Sequence, residues 1–373
     1  MKAKSMRTGL KYMGRLVGFN PPKNHTRMKR HIAGVFIVMG IIASLEGFSQ
    51  DIGWRTNISS FFDNSEFAHS NVSIPQTMGG VHLAPELVFK YDSLHSIVAG
   101  ADLLHEFGSD GFIDKLTPTA YYQFKKGEFS FVMGAFQRRM VAKNYPRFFF
   151  RDSIGYYRPN MNGLALIYNG KALKGNLWLD WASRQSHTER ETFFVGFSGE
   201  YKRGTIFAKN FSYMYHFAGV MEPIHFEPLH DNLLSLTTVG VDLSGLTFID
   251  RLSVSAGWAV GLDRARTGSS DWLVHNGIYC ETEAGYRWVG VFNSLYIGSP
   301  QMYYYGIYNN ELYWGDPFYR AGNYNRTDLY INFLDKDFVA IKLLYSLHVS
   351  EGELYQQQVL KLSFDIGDSR KNN

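Results

Sequence analysis

The sequence is poor in cysteine, in charge and in long apolar runs, and each shortage excludes a class of protein. Cys280 is the single cysteine of the 373-residue chain, so an internal disulfide is impossible. Charged residues make up 19% of the chain, whereas aromatic residues make up 16% and glycine occurs 36 times, a composition that favours a β-protein rich in tight turns. The mean hydropathy of −0.21 excludes a polytopic helical membrane protein, which would need several apolar spans of about 20 residues.

The one long apolar run, at residues 32–45, is typical of a secretory signal peptide. A basic stretch precedes this run and small residues follow it, and an uncleaved anchor would need a longer core. We therefore expect residues 1–50 to be a leader whose true start is Met28, with cleavage near Gln50. No cysteine follows the run in a position for lipid attachment. Residues 51–373 are expected to form a single barrel domain.

The basic charge of the chain belongs to the leader. Residues 1–50 hold nine of the 38 lysines and arginines but one of the 34 acidic residues, so residues 51–373 carry a net charge of −4. Proteins that bind nucleic acids generally neutralise many phosphates with a basic surface. We therefore expect no nucleic-acid partner.

Apolar residues alternate with small or polar residues throughout residues 51–373, a pattern that predicts β-strands. In the last such segment Leu354 and Leu360 share one face, while Tyr355 and Lys361 lie on the other. Most segments exceed the 5–6 residues of an ordinary strand and reach the 9–11 residues that a tilted strand needs to cross a bilayer. We predict about sixteen strands, near 51–60, 81–91, 95–105, 116–125, 128–137, 162–170, 175–184, 191–201, 203–213, 232–243, 250–262, 274–286, 288–297, 324–333, 337–347 and 353–366.

The predicted connections alternate between short and long. Short turns fall, for example, at 92–94 and 202–203, and longer connections fall at 61–80, 138–161 and 298–323. Short periplasmic turns combined with longer outer loops are typical of a transmembrane barrel with both termini in the periplasm. The predicted fold class is an all-β, antiparallel, up-and-down transmembrane β-barrel of about 16 strands, within a range of 14–18. The alternative is a soluble β-sandwich, whose strands would be shorter.

Residues 51–373 therefore resemble bacterial outer-membrane β-barrel proteins, and their short-turn, long-loop plan resembles a general porin. The aromatic strands and the exit of the leader also resemble outer-membrane proteins of the Bacteroidetes group. The resemblance implies an outer-membrane location, and its expected partners are outer-membrane lipids, the barrel-assembly machinery, small hydrophilic solutes and, in a homo-oligomer, further copies of the chain. Many such barrels end on an aromatic residue, whereas here Phe364 is followed by a polar tail.

The connection at 138–161 mixes cations with aromatic residues. In general porins the third long loop folds inward and narrows the pore, and the resemblance implies the same position for this segment. Rings of arginine or lysine favour anions. The alternatives are a surface loop on the rim and a site for single-stranded nucleic acid, which also favours such a mixture. The candidate residues for the constriction or solute site are Arg138, Arg139, Lys143, Arg147, Arg151, Asp152 and Arg158.

A second segment, 216–231, concentrates histidines and carboxylates, among them Asp231. Histidine and carboxylate oxygen are suitable ligands for zinc and similar ions, but the spacing of these residues matches no compact metal motif. His216, His225 and His230 are therefore weak candidates for metal ligands, and a polar external loop is the preferred interpretation.

A third segment, 178–191, holds serines and a histidine that a hydrolase could use, Ser183 or Ser186 with His187. No G-x-S-x-G elbow surrounds either serine, so a charged ladder on the barrel wall is the preferred interpretation. The aromatic clusters at 303–305 and 313–314 fit an interfacial girdle or an outer loop.

The function we expect from the sequence is passive diffusion of small hydrophilic solutes, anionic or sugar-like, through a lumen narrowed by 138–161. A barrel of sixteen strands is wide enough to leave an aqueous channel. We expect no cofactor and no enzymatic activity. Two alternatives stay open: a plugged barrel whose external loops bind a partner or a metal, and an outer-membrane hydrolase.

Overall fold

The computed structural model describes residues 51–222, 228–266 and 271–367. They form a closed barrel of sixteen antiparallel strands, in which each strand pairs with its neighbours in sequence and the last strand pairs with the first. The predicted fold class is therefore confirmed. The predicted leader at 1–50, with its start at Met28 and its cleavage near Gln50, lies outside the described residues.

The sixteen predicted strands are present in the predicted order. Several of them continue beyond the predicted limits towards a rim, and β1 continues to Glu66 instead of ending near residue 60. The bounds are β1 Asp51–Glu66, β2 Gln76–Lys90, β3 His95–Glu106, β4 Lys115–Lys126, β5 Phe129–Gln137, β6 Asn160–Asn169, β7 Leu173–Ser183, β8 Thr192–Arg203, β9 Ile206–Phe217, β10 Leu229–Asp242, β11 Arg251–Arg266, β12 Leu273–Tyr286, β13 Val289–Gly298, β14 Asn323–Lys336, β15 Val339–Ser350 and β16 Glu353–Gly367.

Alternation along each strand separates a lumenal face from an outward face. On β1, Asn57 and Phe61 are buried towards the lumen, whereas Trp54 and Phe62 are 46% and 45% exposed on the outside. A closed sheet pairs its backbone groups internally, so an apolar outward face can contact lipid without leaving polar groups unsatisfied. The outward face of β1 therefore suits a bilayer.

The barrel closes through β1 and β16, whose pairing runs from Arg55 opposite Gly367 to Glu66 opposite Gln356. Across this seam the Asn57 side chain donates a hydrogen bond of 2.9 Å to Asp365. Among the described strands, closure leaves none with an unpaired edge, which removes the usual route to edge-to-edge aggregation.

Most short turns lie at one end of the barrel, the short-turn rim, and most longer connections lie at the other end, the long-loop rim; the two-residue turn between β15 and β16 is an exception at the long-loop rim. Gly127 and Gly204 lie in short turns with φ of +58° and +62°, a backbone conformation that glycine adopts without steric cost. The turn predicted at 202–203 is wrong by two residues, because β8 continues through Arg203 and Gly204 supplies the conformation that the reversal needs.

Short helices lie within two of the longer connections. Between β5 and β6 are helix α1, Arg139–Ala142, and helix α2, Asp152–Tyr157. Between β13 and β14 are helix α3, Tyr305–Leu312, and a 3-10 helix, Pro317–Arg320. In the part of the chain that the structure describes, none of the helices is long and apolar enough to cross a membrane.

Aromatic side chains from these two connections fill the lumen on the side of the long-loop rim. Phe148 contacts Tyr319 edge to face with ring centroids 5.0 Å apart, and Trp314 contacts Phe194 of β8 at 4.7 Å. The girdle position expected for 313–314 is therefore wrong, because Trp314 is 2% exposed inside the barrel. We call this cluster the aromatic plug, and its members are Phe148, Phe149, Phe150, Tyr313, Trp314, Phe318 and Tyr319.

Candidate functional site

The segment 138–161 folds into the lumen and crosses it. At one end Arg138 donates a hydrogen bond of 2.7 Å to Asp180 on β7. Further along, Arg147 donates a hydrogen bond of 3.1 Å to Asp328 on β14. Because β7 and β14 are far apart around the barrel, these two ion pairs hold the segment across the interior rather than over the rim.

Asp152, at the start of α2, is the centre of this attachment. Its carboxylate accepts hydrogen bonds from Arg147 at 2.7 Å and from Lys361 at 2.9 Å, and Arg326 lies 3.9 Å away. Burial alone raises the pKa of Asp152, but the positive charges of Arg147, Lys361 and Arg326 outweigh burial and hold the pKa well below its usual range. Asp152 therefore remains ionised and binds the segment to β14 and β16.

Most of the other predicted constriction residues also contact the plug or the wall. Arg151 donates a hydrogen bond of 3.0 Å to the carbonyl oxygen of Tyr313. The Arg158 guanidinium lies 4.6 Å from the ring centroid of Trp314. Arg139 is bonded to Gln137 at 2.6 Å but keeps a side chain that is 47% exposed.

Lys143, the last of the seven predicted residues, is exposed. All seven lie on the segment 138–161, which we call the inward segment. Arg138 uses its charge in a buried ion pair, and Arg147 uses its charge in partly buried ones. Selection of solutes by this segment stays a prediction.

A cavity of about 730 Å³, the lumenal chamber, lies between the inward segment and the short-turn rim. His82 lines it, and its Nδ1 lies 2.6 Å from the Asp102 carboxylate. Ser59, directly opposite His82 on β1, also lines the chamber. This histidine–carboxylate pair faces the inside of the barrel, where membrane lipid has no access.

The histidines of the segment 216–231 lie on different faces. His230 is buried towards the lumen, and its Nε2 lies 3.0 Å from the Tyr308 hydroxyl. His216 lies on the outward face of β9, and His225 falls outside the described residues. Within the described ranges, no group of three or more histidine, cysteine, aspartate or glutamate side chains is placed to hold a metal ion.

His216 belongs to a row of outward residues that stand directly opposite one another on consecutive strands near the long-loop rim. Phe193 is paired with Trp181 on one side and with His216 on the other. Asp231 is paired with both His216 and Arg264. We call this set the wall row, and its members are Trp181, Phe193, His216, Asp231 and Arg264.

Asp231 is the hub of the wall row. Its carboxylate, 1% exposed, lies 3.1 Å from His216 Nδ1 and accepts two hydrogen bonds from Arg264. Arg266, one outward step nearer the rim, donates two more, at 2.8 and 3.0 Å. The carboxylate fixes the orientation of one imidazole and two guanidinium groups, and the Nε2 edge of His216 lies opposite its contact with Asp231.

Aromatic rings border the row at both ends. Trp181 stacks on Phe193 with ring centroids 5.2 Å apart, and Phe193 stacks on His216 at 4.7 Å. At the other end the Arg264 guanidinium lies 4.4 Å from the ring centroid of Trp272. Tryptophan and other aromatic residues in such a position are typical of the membrane–water interface.

On β8 to β11, the outward residues that lie two positions from the wall row towards the middle of the barrel are all apolar. They form a second continuous row, because Val195 pairs with Met214, Met214 with Leu233 and Leu233 with Leu262. Two residues along a strand correspond to about 7 Å. A histidine–carboxylate pair with two cations therefore lies immediately above a surface suited to hydrocarbon.

Comparison with known proteins identifies the family. A family model described as lipid A 3'-O-deacylase-type matches residues 46–367. The chain belongs to this family. No curated protein sequence matches the chain.

Among solved structures, the fold of this lipid A 3'-O-deacylase-type chain is similar to those of outer-membrane porins. A loop L8 deletion mutant of OmpT, an outer-membrane protein of Vibrio cholerae, superposes with a TM-score of 0.51 at 6% identity, covering 85% of this chain and 100% of that chain. Salmonella typhi OmpF, in complex with daunomycin, superposes with a TM-score of 0.50 at 8% identity, covering 85% and 97%. The predicted resemblance to porin-like outer-membrane β-barrels is confirmed at the level of the fold.

The expectation that the chain has no enzymatic activity is wrong, because its lipid A 3'-O-deacylase-type family is an enzyme family. The hydrolase residues considered from the sequence do not form a site in the structure. Ser186 Oγ accepts hydrogen bonds from the backbone N–H groups of Thr188 and Glu189 at 3.2 and 2.9 Å, so it stabilises a turn. His187 is exposed in that turn.

From the sequence, His216 and Asp231 were predicted only as part of a segment with weak candidate metal ligands, and Arg264 and Arg266 were not predicted as site residues. A signal was present for Arg264, because alternation places it on a face of β11 that elsewhere carries apolar residues, such as Val260 and Leu262. The meeting of His216 and Arg264 at one carboxylate depends on the register of β9, β10 and β11, which alternation alone does not give.

Proposed function

We propose that this protein hydrolyses an ester-linked acyl chain of a lipid in the outer leaflet of the outer membrane, with lipid A, the lipid named by its family, as the substrate class. The observation that carries the proposal is the His216–Asp231 pair on the outward wall, directly above the apolar row. A lipid can reach this pair from the plane of the membrane. By contrast, the His82–Asp102 pair lies inside the barrel.

The position of the wall row supports this assignment. Lipids place their acyl chains in the hydrocarbon region and their ester groups and charged headgroups at the interface. The apolar row of Val195, Met214, Leu233 and Leu262 suits the acyl chain. His216 and the two arginines lie one step nearer the long-loop rim, at the height of the ester and headgroup.

In the proposed reaction His216 acts as the general base through Nε2. It takes a proton from a water molecule as the water oxygen attacks the ester carbonyl carbon. The negative charge that develops on the carbonyl oxygen faces the guanidinium of Arg264. When the carbon–oxygen bond to the sugar breaks, the imidazolium returns the proton to the sugar oxygen, which leaves a free fatty acid and a sugar hydroxyl.

Asp231 positions these groups rather than reacting. It holds the Nδ1 edge of His216 and therefore leaves the base on Nε2, as a carboxylate does in other hydrolases. Arg266, whose side chain is 48% exposed, is available to the anionic headgroup. The charge of Arg264 and Arg266 together exceeds that of Asp231, so these three side chains as a group attract anions.

The test compares purified His216→Asn with wild type on lipid A in mixed micelles, with released fatty acid and product lipid measured by mass spectrometry. Loss of a general base is expected to lower kcat by about 100-fold or more. His82→Asn is the matched control, because it breaks the other histidine–carboxylate pair without changing the outward wall. Full activity in His216→Asn, or equal losses in both variants, contradicts the proposal.

Passive diffusion of solutes is the second candidate function, and the inward segment with its cations favours it. In the described structure the aromatic plug occupies the lumen at the level of Phe149 and Trp314, so conduction would require the plug to move. Planar-bilayer recording tests this role. Stable channels with anion preference in wild type support it, and a silent bilayer containing correctly folded protein rejects it.

A further inference from the structure

The lumenal chamber has a strongly unequal charge distribution that neither the proposed hydrolysis nor the plug uses. Its lining includes seven lysine or arginine side chains and four carboxylates. Arg138 is held in a buried ion pair with Asp180, Arg147 is held in a partly buried one with Asp152, and Lys361 is also bonded to Asp152. Arg139 has its closest carboxylate contact at 3.6 Å, with Asp365, and stays 47% exposed.

Two further cations of the lining, Lys143 and Lys209, come from the segment 138–161 and from β9. Tyr145 of the inward segment contacts Phe211 of β9 with ring centroids 5.1 Å apart. Lys143 lies two residues before Tyr145 in the chain, and Lys209 lies two residues before Phe211. The aromatic contact therefore joins, on one side of the chamber, the two elements that carry these lysines. Neither lysine forms an ion pair within 4.0 Å with a described residue, and Lys209 Nζ lies 4.7 Å from the ring centroid of Phe207.

The acidic residues of this side do not cancel the charge. Glu200 is the strand partner of Lys209, and Glu281 lies on β12 and accepts a hydrogen bond from Tyr279. Against these two carboxylates stand Lys143, Lys209 and the exposed Arg139. In a recess with low-dielectric walls such an excess concentrates counter-ions by a factor on the order of ten or more.

We propose that the lumenal chamber is a binding site for a small anionic solute, a carboxylate or a phosphate, that enters from the short-turn rim. Lys143 and Lys209 provide its charge partners, and Arg139 adds to the positive field. Phe211 and Phe292, which also line the chamber, offer apolar surface to the remainder of the solute. This site is independent of the wall row, which lies on the opposite side of the barrel wall near the other rim.

The chamber is reached from the short-turn rim because the aromatic plug closes the other side. On β9 and β13 the wall residues that line it, Lys209 and Phe292, lie in the halves of their strands nearest that rim. With the termini in the periplasm, as the barrel plan predicts, the solute is a periplasmic one.

The experiment places a reporter thiol in the chamber by Ser59→Cys in a Cys280→Ala background of the full protein in lipid vesicles. The rate at which this thiol forms a mixed disulfide with a sulfonate-bearing methanethiosulfonate, releasing methanesulfinate, is compared with the rate for a trimethylammonium-bearing one, each relative to a free thiol. We expect the anionic reagent to be favoured on the order of tenfold at low salt, with a smaller preference at high salt. Inorganic phosphate and acetate, added separately, should slow the labelling.

Lys143→Gln with Lys209→Gln should abolish most of the preference for the anionic reagent and the protection by phosphate. Lys171→Gln with Lys336→Gln is the matched control, because it removes two charges at the short-turn rim that do not line the chamber. An unchanged preference in the first pair, or an equal decrease in both pairs, overturns the proposal. A preference without protection by either anion means that the chamber attracts anions but does not bind them, and it also overturns the assignment of a binding site.

Discussion

Phe193 lies flat against His216, with ring centroids 4.7 Å apart and ring planes inclined by 26°. On its other side the imidazole contacts the Asp231 carboxylate at 3.1 Å. Two neighbours on adjacent strands thus fix both the plane and the rotation of the ring. A general base with a fixed orientation needs no reordering when its substrate arrives.

Phe193→Leu is expected to lower kcat about tenfold while KM changes little, because the imidazole loses its stacking partner but the headgroup contacts remain. Phe197→Leu, an outward residue two steps towards the middle of the same strand, should leave both constants near wild type. Steady-state hydrolysis of lipid A in mixed micelles measures them. A rise in KM with unchanged kcat would mean that Phe193 binds lipid instead of positioning His216.

Arg266→Gln is expected to raise KM for a phosphorylated lipid about tenfold, which corresponds to the loss of one charge-assisted hydrogen bond. The change should be small for the same lipid without phosphate, because the guanidinium then has no anionic partner. Arg184→Gln removes an exposed charge at the same rim outside the wall row and serves as the control. Equal losses on both lipids would assign Arg266 to the fold rather than to recognition.

The aromatic plug should contribute strongly to stability. Phe149 is 0% exposed, so Phe149→Ala removes a fully buried ring and is expected to lower the free energy of unfolding by about 3–5 kcal/mol. Phe112→Ala, at a side chain that is 91% exposed, should change it little. Urea titration of the folded barrel, followed by tryptophan fluorescence, measures both. Equal midpoints for the two variants would show that the plug is loosely packed.

The attachment of the inward segment to β14 and β16 through Asp152 should weaken in acid. The pKa of Asp152 is lowered in the folded protein, so its stabilising contribution is complete above about pH 4, the ordinary range of aspartate, and is lost as the pH falls below that value. Wild type should lose stability between pH 4 and pH 2 by more than Asp152→Asn does. Asp110→Asn, an exposed loop variant, should follow wild type. Parallel curves for wild type and Asp152→Asn would show that the carboxylate is not ionised in the fold.

The barrel itself was predictable because its rules are local. Alternation identified the sixteen strands, and the alternation of short and long connections gave the two rims. The limits of the strands were less accurate, as at β1, which extends to Glu66. There the polar residues beyond Phe62 end the apolar pattern while the backbone pairing with β2 and β16 continues.

The interior was predicted less well, because its contacts join residues far apart in sequence. The pairs Arg138–Asp180 and Arg147–Asp328 span about 40 and about 180 positions, and alternation carries no information about them. A tryptophan such as Trp314 fits a membrane interface and an aromatic-filled lumen equally well, so the sequence could not show which of the two it occupies. The wall row was missed for a related reason, since it depends on the register of five strands and no single strand contains it.

The aromatic plug has a mechanical consequence for the outward surface. Phe194, Tyr213 and Tyr215, which stand behind the wall row on β8 and β9, are held against Trp314 and Phe149 from inside. A strand with water on its inner face can bend and let a neighbouring strand slide, whereas this part of the wall is supported on one side by close-packed rings and on the other by lipid. The wall that carries His216 is therefore supported from inside, and a lipid that binds to its outer surface does not push the strands into an empty lumen.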